Sequence, residues 1–285
     1  MLKVWIVGAN GQLGTAINEA LDPLEMQVFD TDKDDLDITH TEEVLNFGEI
    51  NRPDVIINCA AVTDTDLCEK NPELAYRVNA LGARNLSIVA RKIGAKVVQL
   101  STDDVFDGER EVPYSEFDDT NPRTVYGRSK RAGENYVKEF THKHFIIRSN
   151  WVYGKGENFV NRILREADEE GPVTVASDQY GSPTSAKDLA RIILYLIHTN
   201  EYGTYHATCQ GTCSRYEFAE EIIRLAGKKA ELQAVPSRES KSAARPDYTV
   251  LDNFILRIID VYEMPEWKTS LKEYINEYMK EREDV

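Results

Sequence analysis

The 285-residue chain sets 34 Lys+Arg against 49 Asp+Glu, a formal net charge of −15, with 41 % hydrophobic residues. Apolar residues spread along the whole chain exclude disorder, and no uncharged run approaches the ~18 residues that a membrane span needs. The acidic field argues against nucleic acid or an anionic membrane as partner, but not against an anionic small molecule held by a local patch of cations and backbone N–H groups.

From the N-terminus, short apolar runs predict strands over Lys3–Val7, Gln27–Asp30, Val55–Asn58, Lys96–Leu100 and Phe145–Arg148. Helical patterns fall between them at Gln12–Leu21, Thr41–Ile50, Pro72–Ile93 and Tyr126–Phe140. Buried parallel strands read as continuous apolar runs, and their alternation with helices gives right-handed βαβ units. The expected fold class is therefore α/β, a doubly wound parallel sheet. The second half predicts helices at Asn158–Glu169, Ala186–His198, Arg215–Ala226 and Lys268–Glu281, and short strands at Val173–Ala176, Thr204–His206 and Leu232–Ala234. Residues 1–150 are expected to form a dinucleotide-binding domain. Residues 151–285 are expected to form a smaller, mainly substrate-binding α/β region that can interleave with the first. Pro236–Pro246 (PSRESKSAARP) is polar and turn-rich and reads as a mobile loop. The opening MLKVWIVGANGQLG is no secretory signal, because its apolar run is short and a glycine loop follows. With no signal, the four cysteines (Cys59, Cys68, Cys209, Cys213) point to reduced thiols in the cytoplasm.

Three motifs carry chemistry. GANGQLG, Gly8 to Gly14, follows the first strand and opens a helix. Glycines there permit a tight turn and close approach of backbone to a pyrophosphate, which the helix N-terminus attracts. A structural glycine turn is the alternative. Asp30 ends the second strand, where an acid accepts from the adenosine ribose and disfavours a 2′-phosphate. Alone it favours NADH over NADPH, and a solvated acidic turn is the alternative. Asp37 and Ile38 are in reach of the adenine edge. In YGRSK, Tyr126 and Lys130 are four apart and share one helical face. A cationic Lys favours the phenolate and lowers the Tyr pKa, and such a Tyr passes a proton to a carbonyl oxygen as hydride arrives at its carbon. An exposed helix face is the plain reading of that spacing. Ser101-Thr102-Asp103, directly after a strand, sets a hydroxyl at the carboxyl end of the sheet, where such folds bind ligands. Cys209-x-x-x-Cys213 with His206 lacks the parts of a four-ligand zinc site, so no metal is expected.

Together these residues resemble the extended short-chain dehydrogenase/reductase superfamily, whose fold is Rossmann-like, and within it the dTDP-4-dehydrorhamnose reductase family. The matching stretches run nearly end to end and include PDVIINCAAVT, ELAYRVNALGARNL, LSTDDVFDG, VYGRSKRAGE, RSNWVYG, DQYGSPTSA and RPDYTVLDN. The resemblance implies a catalytic trio of Thr102, Tyr126 and Lys130. It implies a site for NADPH or NADH lined by Gly8, Gly11, Gln12, Leu13, Gly14, Asp30, Asp37, Ile38, Ala61, Val62, Thr63, Tyr126 and Lys130. Thr102, Asp103 and Trp151 would contact the deoxysugar of a dTDP-sugar, and Asn158 and Arg245 its diphosphate. The implied activity reduces the 4-keto group of dTDP-4-dehydro-L-rhamnose. An epimerase or dehydratase that retains NAD, and a non-catalytic regulatory subunit of the same fold, are the rival readings. Three positions depart from the family pattern: Asp104 stands where it usually has Tyr, and Val62 where it often has an aromatic or His. Ala16 replaces the Glu that some relatives use for a magnesium-linked dimer, so a monomer or a homodimer without that bridge is expected.

Overall fold

The apolar runs of the first half fold as strands, each followed by a helix that covers one face. The structure, a computed structural model, describes residues 1–237, 245–259 and 263–283, so most of the loop expected at Pro236–Pro246 lies outside the described residues. In chain order come β1 (Leu2–Val7), α1 (Gln12–Ala20), β2 (Met26–Thr31), α2 (Thr41–Asn51), β3 (Val55–Asn58), α3 (Thr65–Lys70), α4 (Pro72–Tyr76), α5 (Ala83–Ile93), β4 (Lys96–Thr102), α6 (Val125–Phe140) and β5 (His144–Ser149). The second half adds β6 (Val152–Tyr153), α7 (Phe159–Glu166), β7 (Val173–Ala176), β8 (Tyr180–Gly181), β9 (Thr184–Ser185), α8 (Ala186–Ile197), β10 (Gly203–His206), β11 (Cys213–Ser214), α9 (Arg215–Leu225), β12 (Leu232–Val235), α10 (Phe254–Ile258) and α11 (Trp267–Glu283).

Six parallel strands form the central sheet in the order β10-β5-β4-β3-β1-β2. Alternate residues of each strand face opposite sides. Val4, Ile6, Ile57, Val98 and Ile147 pack with Ile17 of α1, Leu189 and Ile193 of α8 and Phe218 of α9. Trp5, Val7, Ile56, Val97 and Ile146 pack with Val44 of α2, Leu86 and Val89 of α5 and Val137 of α6. The sheet is therefore doubly wound, as the sequence predicts. Strand order reverses at β1, with β2 on one side and β3 on the other, and a crevice for ligand opens there, beyond the carboxyl ends of the strands.

One expected helix is broken. Pro72–Ile93 is not continuous: α4 and α5 are joined by a π-helical turn over Arg77–Gly82. Such turns aim side chains that a regular helix would place elsewhere, and Asn79 lies in this one.

Candidate active site

Gly8 follows β1 with φ +77, and a Cβ on it would lie 2.7 Å from Ala60 N. Only glycine allows that crossing of the loops after β1 and β3. Gly14 closes the turn, since a Cβ there would lie 2.4 Å from Gly8 O. The first turn of α1 has Gly11 as its N-cap and no side-chain cap, so its N–H groups face the crevice unclaimed. Gln12 Nε2 donates to Glu157 O at 3.1 Å, while its buried Oε1 has no partner among the described residues. Uncapped donors beside a close backbone approach fit the pyrophosphate of a dinucleotide.

Asp30, exposed at the edge, accepts from Asn18 Nδ2 of α1 at 3.1 Å. The carboxylate against the glycine loop is Asp32, which accepts from Asn10 N at 3.1 Å and Lys33 N at 2.7 Å. Asp37 accepts from Thr39 N at 2.8 Å, and Ile38 O accepts from Asn85 Nδ2 at 2.9 Å. Ala61, Val62 and Thr63 continue from β3. Asn79 holds Val62 at both ends: Val62 N donates to its Oδ1 at 2.8 Å, and its Nδ2 donates to Val62 O at 3.0 Å and to Ser129 Oγ at 2.9 Å. The π-helical turn thus ties the wall after β3 to α6.

β4 delivers Thr102 to the carboxyl edge. Its hydroxyl accepts from Asp104 N at 3.2 Å and donates to Asp103 Oδ1 at 3.0 Å. Thr124 caps α6 through Gly127 N at 2.9 Å, fixing the helix that carries Tyr126 and Lys130. Lys130 is 4 % exposed and makes no hydrogen bond to a described residue. Burial pulls its pKa down to about 8, although Glu134 and Cys59 oppose that. The Tyr126 phenol lies near the Thr102 hydroxyl. Its pKa corrects the expectation from sequence. Burial, then the carboxylates of Asp104 and Asp103, hold it above the ordinary phenol value, outweighing Thr102 and Arg245. Tyr126 is thus a protonated phenol, the form that an acid must have. Behind the cluster, Glu134 accepts from Arg148 Nε at 2.9 Å and Nη2 at 2.8 Å, and from Ser101 Oγ at 2.5 Å, all buried.

The second half supplies the opposite wall. Trp151 has φ 44, a conformation that bulky residues rarely adopt. The Arg215 guanidinium lies 3.6 Å from the centre of its ring and 4.8 Å from that of Phe159. Arg215 is 8 % exposed and meets no carboxylate in ion-pair range among the described residues. Burial, and the nearby charge of Arg245, lower its pKa to about 9. Arg245, exposed, donates to Thr65 Oγ1 at 3.2 Å. Facing them, burial and then Asp103 push the Asp104 carboxyl up to about 7, against Arg245 and Arg215. Burial also raises Asp103, against hydrogen bonds from Thr249 and Thr102 and the charge of Arg215. A cleft of about 1220 Å3 is lined by Thr124, Arg245, Tyr180 and Tyr248, so Arg245 lies both on this cleft and within the field of Asp104. Asn158 is not free to join it: its Oδ1 caps α7 through Asn161 N at 3.0 Å, and its Nδ2 donates to Gly154 O at 2.6 Å.

The fold therefore brings Thr102, Asp103 and Tyr126 together, with Lys130 one turn along α6, Arg245 acting on Tyr126 and Asp104, and Trp151 behind Arg215. Sequence reasoning missed Asp32, Arg215 and the positioning role of Asn79. Asp32 was findable as the next acid after the end of β2. Arg215 sits one residue after a helix cap and carries no signal of burial in the sequence.

Known proteins share this fold. The family described as RmlD substrate binding domain matches residues 2–280. The spore coat polysaccharide biosynthesis protein SpsK of Bacillus subtilis is 37 % identical, over 97 % of this chain and 98 % of its own length. A dTDP-4-dehydrorhamnose reductase from Clostridium acetobutylicum superimposes with a TM-score of 0.96 at 45 % identity, covering 98 % of this chain and 100 % of its own. That from Bacillus anthracis, solved in complex with NADP, gives 0.95 at 44 % identity, covering 97 % and 100 %. The match over residues 2–280, with near-complete coverage of this chain and of those relatives, makes this chain a member of the RmlD substrate binding domain family.

Proposed function

We propose that the protein reduces the 4-keto group of dTDP-4-dehydro-L-rhamnose with a reduced nicotinamide dinucleotide, giving dTDP-L-rhamnose. The observation that carries this reading is the placing of Thr102, a protonated Tyr126 and a buried Lys130 that has no hydrogen-bond partner among the described residues, in a fold with an uncapped glycine loop. Its support among relatives is the dTDP-4-dehydrorhamnose reductase of Bacillus anthracis, solved with NADP. Residues 1–150 bind the dinucleotide and residues 151–285 mainly the sugar nucleotide.

The loop from Gly8 to Gly14 takes the pyrophosphate, Asp32 and Asp30 border the adenosine ribose, and Asp37 and Ile38 the adenine. Ala61, Val62 and Thr63 line the route to the nicotinamide end, and Lys130 donates to the ribose there. When bound, the reduced nicotinamide supplies hydride to the carbonyl carbon. Thr102 turns its hydroxyl from Asp103 to donate to the same carbonyl oxygen and orients it, and Tyr126 gives that oxygen its proton as negative charge develops. Arg245 and Arg215 take the diphosphate, because cations that meet no carboxylate among the described residues gain most from an anion. Trp151 and Asp103 border the sugar. The site is built from one chain, which fits a monomer or a homodimer, and the four free thiols fit a cytoplasmic setting.

The test follows reduced-nicotinamide absorbance with dTDP-4-dehydro-L-rhamnose and NADPH or NADH in parallel. Rapid oxidation that depends on the sugar is expected. Stoichiometric retained NAD with no net oxidation would instead favour the epimerase or dehydratase reading.

A further inference from the structure

The substrate wall holds an electrostatic arrangement that the catalytic trio does not need. Asp103 and Asp104 are adjacent, 6 % and 8 % exposed, and turned into the same cluster as Tyr126. Asp103 accepts from Thr102 Oγ1 at 3.0 Å, with Thr249 nearby. The Asp104 carboxyl receives no hydrogen bond from a described residue. The groups that face it are few: Thr102 at the end of β4, Asp103 on its own turn, Tyr126 on α6, Arg215 on α9 and Arg245 on the segment beyond residue 244. Lys130 lies one turn beyond Tyr126. Among the described residues, the cations acting on Asp104 are thus the two guanidiniums assigned to the diphosphate, and neither is ion-paired to a carboxylate there.

Two adjacent carboxyls in a site closed to water cannot both stay ionised without nearby positive charge. A diphosphate diester brings two negative charges to Arg215 and Arg245 and cancels the field that they cast on the pair. The sugar removes the remaining water. Both effects act in the same direction.

We propose that binding of the nucleoside-diphosphate sugar at Arg215 and Arg245 is coupled to fractional uptake of a proton from solvent, shared by the Asp103–Asp104 pair. The inference rests on the reading of the site given above. Its consequence is chemical: Tyr126 gives up its proton beside a neutral carboxyl instead of an anion, and the neutral Asp104 can donate to a sugar oxygen. Asp104 is here a specificity-setting and positioning residue. In the family pattern this position is usually Tyr, a neutral hydroxyl, and the bound complex of this chain regains that neutrality by protonation.

The experiment is isothermal titration calorimetry of dTDP-L-rhamnose into the NADPH-loaded protein at pH 7.5, in buffers of different ionisation enthalpy. This diester has no titrating phosphate near neutrality. If binding raises the pair's pKa by about one unit from near neutrality, the uptake is roughly half a proton, greatest just above pH 7 and vanishing toward pH 5 and pH 10. D104N is expected to lose most of that uptake. A binding heat independent of buffer, or proton release, would overturn the proposal. So would full uptake in D104N, which would assign the proton to Lys130. If D104N does not fold, the wild-type pH dependence decides alone. Failure of the sugar nucleotide to bind or to turn over defeats the functional reading itself, whereas binding and turnover without uptake defeat only this inference.

Discussion

Replacing Tyr126 with Phe removes one oxygen and nothing else from the site. The ring stays, and Thr102 keeps both Asp104 N as a donor and Asp103 as an acceptor, so no buried polar atom is orphaned. Folding stability should therefore change by no more than about 1 kcal/mol. The loss falls on catalysis. A positioned acid contributes about 10²–10⁴-fold, which is roughly 3–5 kcal/mol of barrier. Because burial and the two carboxylates hold Tyr126 above the ordinary phenol value, the wild-type enzyme should show no loss of activity from this group up to about pH 10. The assay is kcat from reduced-nicotinamide absorbance, paired with NADPH affinity from quenching of protein fluorescence. Y126F should lose at least two orders of magnitude in kcat while its NADPH affinity stays within about twofold. Wild-type-like turnover would remove Tyr126 from proton transfer. An affinity loss as large as the rate loss would make it a binding residue.

Three further outcomes follow from the same geometry. Glu134→Ala leaves the buried Arg148 guanidinium without its bidentate partner and should cost about 3–5 kcal/mol in urea unfolding; a Glu134→Met, Arg148→Met pair should recover much of that, and no cost in the single variant would refute the burial argument. Asp104 binds its proton more tightly folded, at about 7, than unfolded, at an ordinary carboxylate value, so its contribution is complete below about pH 4 and is lost as pH rises through 7. D104N should therefore raise Tm relative to wild type at pH 8, with the gain shrinking as pH falls, and a gain independent of pH would contradict this. Asp32→Ala removes the carboxylate from the glycine loop and should raise the NADPH-to-NADH ratio of kcat/KM by about tenfold, since one charge near a 2′-phosphate is worth about 1.4 kcal/mol or more; an unchanged ratio would place the ribose elsewhere.

The sheet was legible because its strands are buried on both faces. Val55–Asn58 and Lys96–Leu100 are apolar enough that their runs mark strands without any need of periodicity. The glycine loop and the Tyr126–Lys130 spacing were legible for a similar reason, since both are local. What was not legible depends on register or on distant segments. Whether Asp30 or Asp32 meets the loop is decided by β2 pairing Asp30 with Ile6, which turns the Asp30 side chain to the α1 face where Asn18 waits. The break at Arg77–Gly82 leaves no trace in a helical pattern that keeps its apolar face. Arg215 becomes a buried cation only because Trp151 and Phe159, more than fifty residues earlier, close over it. The expected drop in the Tyr126 pKa failed on the same account: Lys130 was visible at four residues, but the carboxylates of the turn after β4 act across space.

Net charge misleads about this site in an instructive way. At −15 the chain should repel a dianionic nucleotide, yet charges beyond about 8–10 Å are largely screened at physiological ionic strength. What the ligand meets is local: the uncapped start of α1 on one side, and Arg215 with Arg245 on the other. Arg215 could have been satisfied within the fold by a carboxylate, as Arg148 is by Glu134. Instead it lies against Trp151, with Asp103 near but not in contact. An ion pair there would have neutralised the cation before the substrate arrived. Stacking on the indole keeps it positioned and charged, and on the proposed function the cost of that burial is recovered when the diphosphate binds.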